Sequence, residues 1–184
     1  MILLYTFEGG VKTIIYTDTL QTTGMLLGLI VCIIVVIKSL GTDFSGALHM
    51  LNQKGMTRIF NTDVNSGSYF LKHILGGMFI AIAMTGLDQE MMQKNISVKN
   101  LKDSQKNMMS YTLVLVVVNF LFLFLGGVLY LYAAQNKIFD HSGDSLFPFI
   151  AINSVLSGTI GILFIIALIS ALFPSVDGAI TSLT

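Results

Sequence analysis

Apolar residues in this chain do not alternate with polar ones. They gather into four long blocks, at about residues 22–40, 69–89, 107–135 and 147–174. A helix needs about 20 mostly apolar residues to cross a hydrocarbon core, and each block is close to that length or beyond it. The third contains no acidic or basic residue. The last two exceed the minimum, which predicts tilt or interfacial ends. Ile2 to Phe7 looks like the tail of a further apolar segment. The pattern therefore predicts an all-α polytopic membrane protein, with residues 1–184 forming a single transmembrane domain.

The connections differ in character. Gly9 to Gln21, with Gly9-Gly10, Lys12 and Asp18, reads as a short turn. In Gly41 to Ser68, Phe44, Ala47, Leu48 and Leu51 recur at helical spacing, which predicts a short interfacial helix. Glu90 to Lys106 carries Lys94, Lys99, Lys102 and Lys106, and Asn100 to Asp103 is placed to cap the helix that follows. Lys137 to Asp144 is a polar turn.

Composition narrows the class further. Hydrophobic residues make up 54% and charged residues 11%, with no formal net charge; mean hydropathy is +0.80. Soluble domains carry about 25% charged residues. A nucleic-acid partner would require a basic face, so none is expected. The single cysteine, Cys32, supports neither a disulfide framework nor a cysteine-based zinc site. Alternation of the blocks puts Lys12 and the four lysines of 90–106 on one side. Lys38, Lys54, Arg58, Lys72 and Lys137 fall on the other, so counting basic residues returns a tie. The compact lysine cluster favours the 90–106 side as cytoplasmic.

Polar groups at bilayer depth are costly and face protein or a water-filled path. For Asn119, Asn153, Ser154, Ser157 and Thr159 the simplest reading is interhelical packing and hydrogen bonding. Gly76-Gly77 and Gly126-Gly127 read as close-packing contacts. His49, His73 and His141 are scattered, so no metal centre is expected. Three places stand apart. Asp18 follows Tyr16-Thr17 at the mouth of the first block, Thr85-Gly86-Leu87-Asp88-Gln89 closes the second, and Pro174-Ser175-Val176-Asp177 closes the fourth. Pro174 has no N–H for the bond to the residue four back, so it frees the carbonyl of Ser170 and loosens the turn around Ala171. Hydroxyl, freed carbonyl and carboxylate oxygens suit a partly dehydrated hard cation. The residues alone leave a cation path and a structural proline kink as alternatives.

At these three places the chain resembles the sodium:solute symporter family, which includes the sodium/glucose, sodium/proline and sodium/iodide cotransporters. Gly9-Gly10 through Tyr16-Thr17-Asp18 to Gln21 is similar to the family's GG-x-x-A-V-x-W-T-D-x-x-Q turn. Asp88-Gln89 to Gln93-Lys94, with the basic loop after it, is similar to its D-Q-x-x-x-Q-R segment. Phe164 to Ser182 resembles its F-x-A-A-x-x-S-S-x-D-S-x-L-N-S helix. The similarity covers nearly the whole chain, and the three motifs together are specific where each alone is not.

The resemblance implies an inverted-repeat fold of the leucine-transporter type. The chain would be an incomplete piece of it, holding about core helices five to eight and the end of helix four. It implies loops 9–21 and 90–106 on the cytoplasmic side of the plasma (inner) membrane. It also implies a sodium site using the Ala171 carbonyl and the Ser175 hydroxyl, with Asp18 and Asp177 as sodium-path residues. Pro174 stands where the family's first serine usually sits, leaving a freed carbonyl or Asp177 to substitute. The second block would be a broken helix facing solute, interrupted near Ala81 to Gly86, as transporter midplane sites often are. Ala81, Met84, Thr85 and Asp88 would line it. Where sugar carriers place Asn, Tyr and Trp, this chain has Ala81, Met84 and Thr85, which disfavours sugar.

The expected partners are the lipid bilayer, sodium as coupling ion, a small organic solute or anion, and the remainder of the transporter. No organic cofactor and no enzymatic activity are expected. The alternative is a non-transporting membrane sensor or structural module with a transporter-like fold.

Overall fold

The computed structural model of the protein describes residues 2–87, 92, 96, 98, 100–138, 143–153, 158–170 and 176. Among them every regular element is helical: α1 (Ile2–Ser39), α2 (Phe44–Gln53), α3 (Phe70–Gly86), α4 (Leu101–Gln135), α5 (Leu146–Asn153) and α6 (Thr159–Ser170). A single 3₁₀ turn, Gly143–Ser145, precedes α5.

Helix α1 is one continuous element of 38 residues, so the 9–21 stretch is helical rather than a turn. The chain's two prolines stand at 148 and 174, so none interrupts α1. Its four glycines, Gly9, Gly10, Gly24 and Gly28, cost about 1 kcal/mol each relative to alanine, too little to open a ladder this long. The helix closes where Gly41 takes a left-handed φ of +69°. There the Gly41 N–H donates to Lys38 O and the Thr42 N–H to Ile37 O, the double bond pattern that glycine supports at helix ends.

The short helix expected from Phe44, Ala47, Leu48 and Leu51 is present as α2, with Ala47 and Leu51 on its buried side. It ends in the same way: Gly55 has φ +71°, and the Met56 N–H reaches Leu51 O at 3.0 Å. Helix α4 begins six residues before the uncharged block, at Leu101, because lysine is a good helix former and Lys102 and Lys106 cost the helix nothing. Asn100 is its N-cap residue. The Asn100 amide donates to the Asp103 carboxylate at 3.3 Å instead of the side chain bonding the backbone.

The core lies at one end of the molecule. On α1 it contains Leu29, Cys32, Ile33, Val36, Ile37 and Leu40, spaced by three and four residues along one stripe. On α4 it contains Phe124, Leu125, Val128, Leu129, Leu131, Tyr132 and Ala133, and on α5 Leu146, Ile150 and Ala151. Both long helices contribute their C-terminal halves to it, and α1 and α4 pack against each other. The chain then turns and starts α5 inside the same core. Helix α6 packs along α1 more extensively than any other pair of described elements touches.

The fourth block is not one uninterrupted helix. Helix α5 stops at Asn153 and α6 starts at Thr159. Gly158 between them has φ +102°, a conformation open chiefly to glycine.

Helix α3 is continuous from Phe70 to Gly86 with Leu87 as its C-cap. Helix α3 thus runs unbroken through Ala81 to Thr85 and ends at Gly86, at the edge of the stretch where a break is expected. The residues from Ala81 to Thr85 all tolerate helical dihedrals, and the one glycine falls at the end, where it terminates the element. Helix α3 packs closely on none of the other described helices, and Leu71, Ile74, Met78, Phe79 and Ile82 are exposed.

The loop before α3 is built from its own polar groups. The Asn61 side-chain oxygen accepts from the Asp63 N–H, and the Asp63 carboxylate accepts from the Asn65 N–H. Lys72 reaches back from α3, and its ammonium donates to Val64 O at 3.2 Å and Ser66 O at 3.3 Å.

Candidate functional site

Because α1 is straight through 9–21, Asp18 is carried on the helix itself and opens its long apolar portion, Asp18–Ser39. It is partly buried. Gln21 follows three residues later, on the same helical face. Its amide oxygen is buried and has no hydrogen-bond partner. Neighbouring polar groups are accounted for: the Thr23 hydroxyl donates to the Thr19 carbonyl one turn back, at 2.7 Å. Tyr16 is 77% exposed, so it points away from the packed side.

Ala171, Pro174, Ser175 and Asp177 lie outside the described residues, as does Asp88. What the structure gives is their approach. Helix α6 is described as far as Ser170, the residue before Ala171. The helix that leads to one motif, α6, thus packs against the helix that carries another, α1.

The third motif is not gathered with them. Ala81 and Met84 are exposed on α3, Met84 to 64%. Thr85 lies in the last turn of the same helix. With α3 unpacked against α1 and α6, the structure does not bring these residues to Asp18.

No cluster of His, Cys, Asp and Glu suited to a metal ion occurs among the described residues. A shallow cavity of about 410 Å³ opens on α2, lined by Ser45, Leu48, His49, Asn52 and Thr57. The Thr57 hydroxyl donates to Asn52 Oδ1 at 2.7 Å across its floor. It lies beside the packed end of the molecule, far along α1 from Asp18.

Gln21 was visible in the sequence only as the last letter of the first motif. Its spacing from Asp18 acquires meaning once 9–21 is helical, because three residues then place both side chains on one face.

The model of the sodium:solute symporter family matches residues 1–183. Among curated proteins the chain is similar to the sodium/sialic acid symporter NanT of Aliivibrio fischeri, with 23% identity over 98% of the chain. That stretch is 36% of the relative's length, so the chain spans about a third of the curated protein it matches. No solved structure matches it.

Proposed function

The chain belongs to the sodium:solute symporter family, and from that membership we propose that it is part of a longer carrier that couples sodium entry to uptake of a small organic solute or anion. The observation that carries this reading is the family match across residues 1–183. In the structure it is supported by the packing of α6, the helix that precedes Ala171, along α1, the helix that carries Asp18.

In this reading the apolar helices cross the plasma (inner) membrane, with residues 9–21 and 90–106 toward the cytoplasm. They form part of an inverted-repeat bundle of the leucine-transporter type. The Ala171 carbonyl and Ser175 hydroxyl hold sodium. Asp18 and Asp177 attract the ion along its path, where a carboxylate lowers the cost of removing its water. Ala81, Met84, Thr85 and Asp88 line the solute path, in contact with parts of the transporter beyond this chain. Sodium must bind one state of the carrier better than the other for its gradient to drive the solute. The relative's name concerns sialic acid, and an anionic solute of that general class is the first to test.

The test is uptake by cells producing the complete transporter that carries this chain. Solute accumulation should require an inward sodium gradient and collapse when choline replaces sodium. Accumulation indifferent to sodium would overturn the proposal, as would sodium-dependent signalling with no accumulation.

A further inference from the structure

Outward apolar side chains are ordinary on a membrane span but not on the loop that leads into one. Between α2 and α3, Ile59 is 83% exposed and Phe60 63%, and Val64 is open as well. Hydrogen bonds and ring contacts nonetheless hold this loop at a fixed level. The Phe70 N–H, at the start of α3, donates to Asn61 O at 3.1 Å, and the Phe60 and Phe70 rings meet edge to face at 5.9 Å. Tyr69, the N-cap residue of α3, stands against Phe70 with ring centroids 5.1 Å apart. Tyrosine concentrates at membrane–water interfaces, where an apolar ring and a wet hydroxyl are both satisfied. Phe60 and its neighbours therefore lie at the depth where the apolar helix α3 begins.

Charge at the same level is lopsided. Residues 54–72 hold Lys54, Arg58 and Lys72 against one carboxylate, Asp63, which already accepts from the Asn65 N–H. Arg58 Nε donates to Phe60 O at 3.2 Å, which leaves its two terminal amino groups for another acceptor. The Lys72 ammonium donates to two carbonyls and keeps a third N–H. We propose that loop 58–72 binds anionic phospholipid: Ile59, Phe60 and Val64 enter the acyl boundary, and Arg58 and Lys72 bind headgroup phosphates above them. Apolar side chains flanked by basic ones are the combination that adheres to anionic bilayers, and the guanidinium fork matches phosphate geometry. This rests on the chain being a membrane protein and is independent of sodium coupling.

The experiment uses the complete transporter in phosphatidylcholine vesicles holding a minor fraction of phosphatidylglycerol. The chain has no tryptophan, so Phe60→Trp supplies a local fluorophore, with the native transporter as background and Ile59→Trp as a second reporter. Bromine is placed near the top of an acyl chain, on the phosphatidylglycerol in one preparation and on an equal amount of phosphatidylcholine in the other. Quenching beyond background should be stronger with the brominated phosphatidylglycerol. Adding Arg58→Gln should lower that preference about fivefold, the usual weight of one basic residue at an anionic surface, whereas Arg58→Lys should keep it. Concentrated salt should weaken it. Quenching of neither reporter by either lipid would overturn the proposal and assign this apolar face to other transporter segments or to water. Equal quenching by the two lipids would overturn the headgroup recognition. If Arg58→Gln does not assemble, a preference that survives salt would overturn it equally.

Discussion

Gly126 and Gly127 are neighbours on α4, yet a methyl group added to each would meet different surroundings. At Gly126 it would touch nothing within 4 Å, whereas at Gly127 it would come within 2.9 Å of Leu51 Cδ2. Leu51 is 5% exposed, so its side chain has little room to withdraw. Gly127→Ala should therefore lower stability in detergent by about 1–2 kcal/mol through overpacking. Gly126→Ala should be neutral or raise it by up to about 1 kcal/mol through helix propensity. Thermal unfolding of both variants checks this, and Leu51→Ala should remove most of the Gly127→Ala loss. In the proposed sodium site the matching residue is Ser175. Ser175→Ala in the complete transporter should raise the half-saturating sodium concentration on the order of tenfold, by loss of one oxygen ligand. Unchanged sodium dependence of uptake would sink that residue's role.

Helix α2 is joined to α4 by ring contacts as well as by Leu51. The Phe44 and Phe124 rings lie 4.8 Å apart at 40°, and the Lys54 ammonium stands 5.8 Å from the Tyr130 ring centroid. Phe124→Ala should loosen α2 without melting α4, seen as faster amide exchange confined to residues 44–53. Uniformly faster exchange would refute a local role. Lys72→Met should act on the preceding loop, raising protease cleavage within 61–68 because two carbonyls lose their shared donor. A cleavage rate equal to the native one would show that the asparagine turns suffice.

At this scale much was legible in advance. The spacing of Phe44, Ala47, Leu48 and Leu51 gave α2, and Asn100 marked the start of α4. The continuity of α1 was not legible, because Gly9-Gly10 and the polar run after it resemble a turn when the helical ladder on both sides is ignored. The end of α3 at Gly86 was legible, because glycine is the one helix-weakening residue in 81–86; that Ala81 to Thr85 stay helical follows from their ordinary helix tolerance. Gln21 was hidden for the same reason as α1: residue spacing has no direction until the backbone conformation is known.

Across the whole molecule, burial is confined to one end. Leu29, Val36, Val128 and Ile150 are fully buried, while α3 and the N-terminal half of α4 present apolar side chains outward. Lipid is as apolar as leucine, so dispersion and close packing hold such a core together more than expulsion of water does. The outward faces require lipid or other transporter segments around them. The 184-residue chain expressed alone should sediment with membranes and resist extraction by alkaline carbonate. Recovery in the soluble fraction would contradict the reading. It should not by itself accumulate solute, since the proposed site draws on segments beyond it.

The continuity of α1 has a mechanical consequence. Its far portion, from about residue 29 onward, shares the core with α4, and the portion bearing Asp18 is a stiff arm extending from there. Val36 and Asp18 are separated by about 27 Å along the axis, at 1.5 Å per residue. A swing of about 5° at the core displaces Asp18 by roughly 2 Å, close to one ion–oxygen bond length. A flexible hinge at Gly9-Gly10 would leave this lever intact, because it lies beyond the load. Small rearrangements among Leu29, Val36 and Val128 would thus be read out, amplified, as the making or breaking of a coordination bond at the opposite end of the rod.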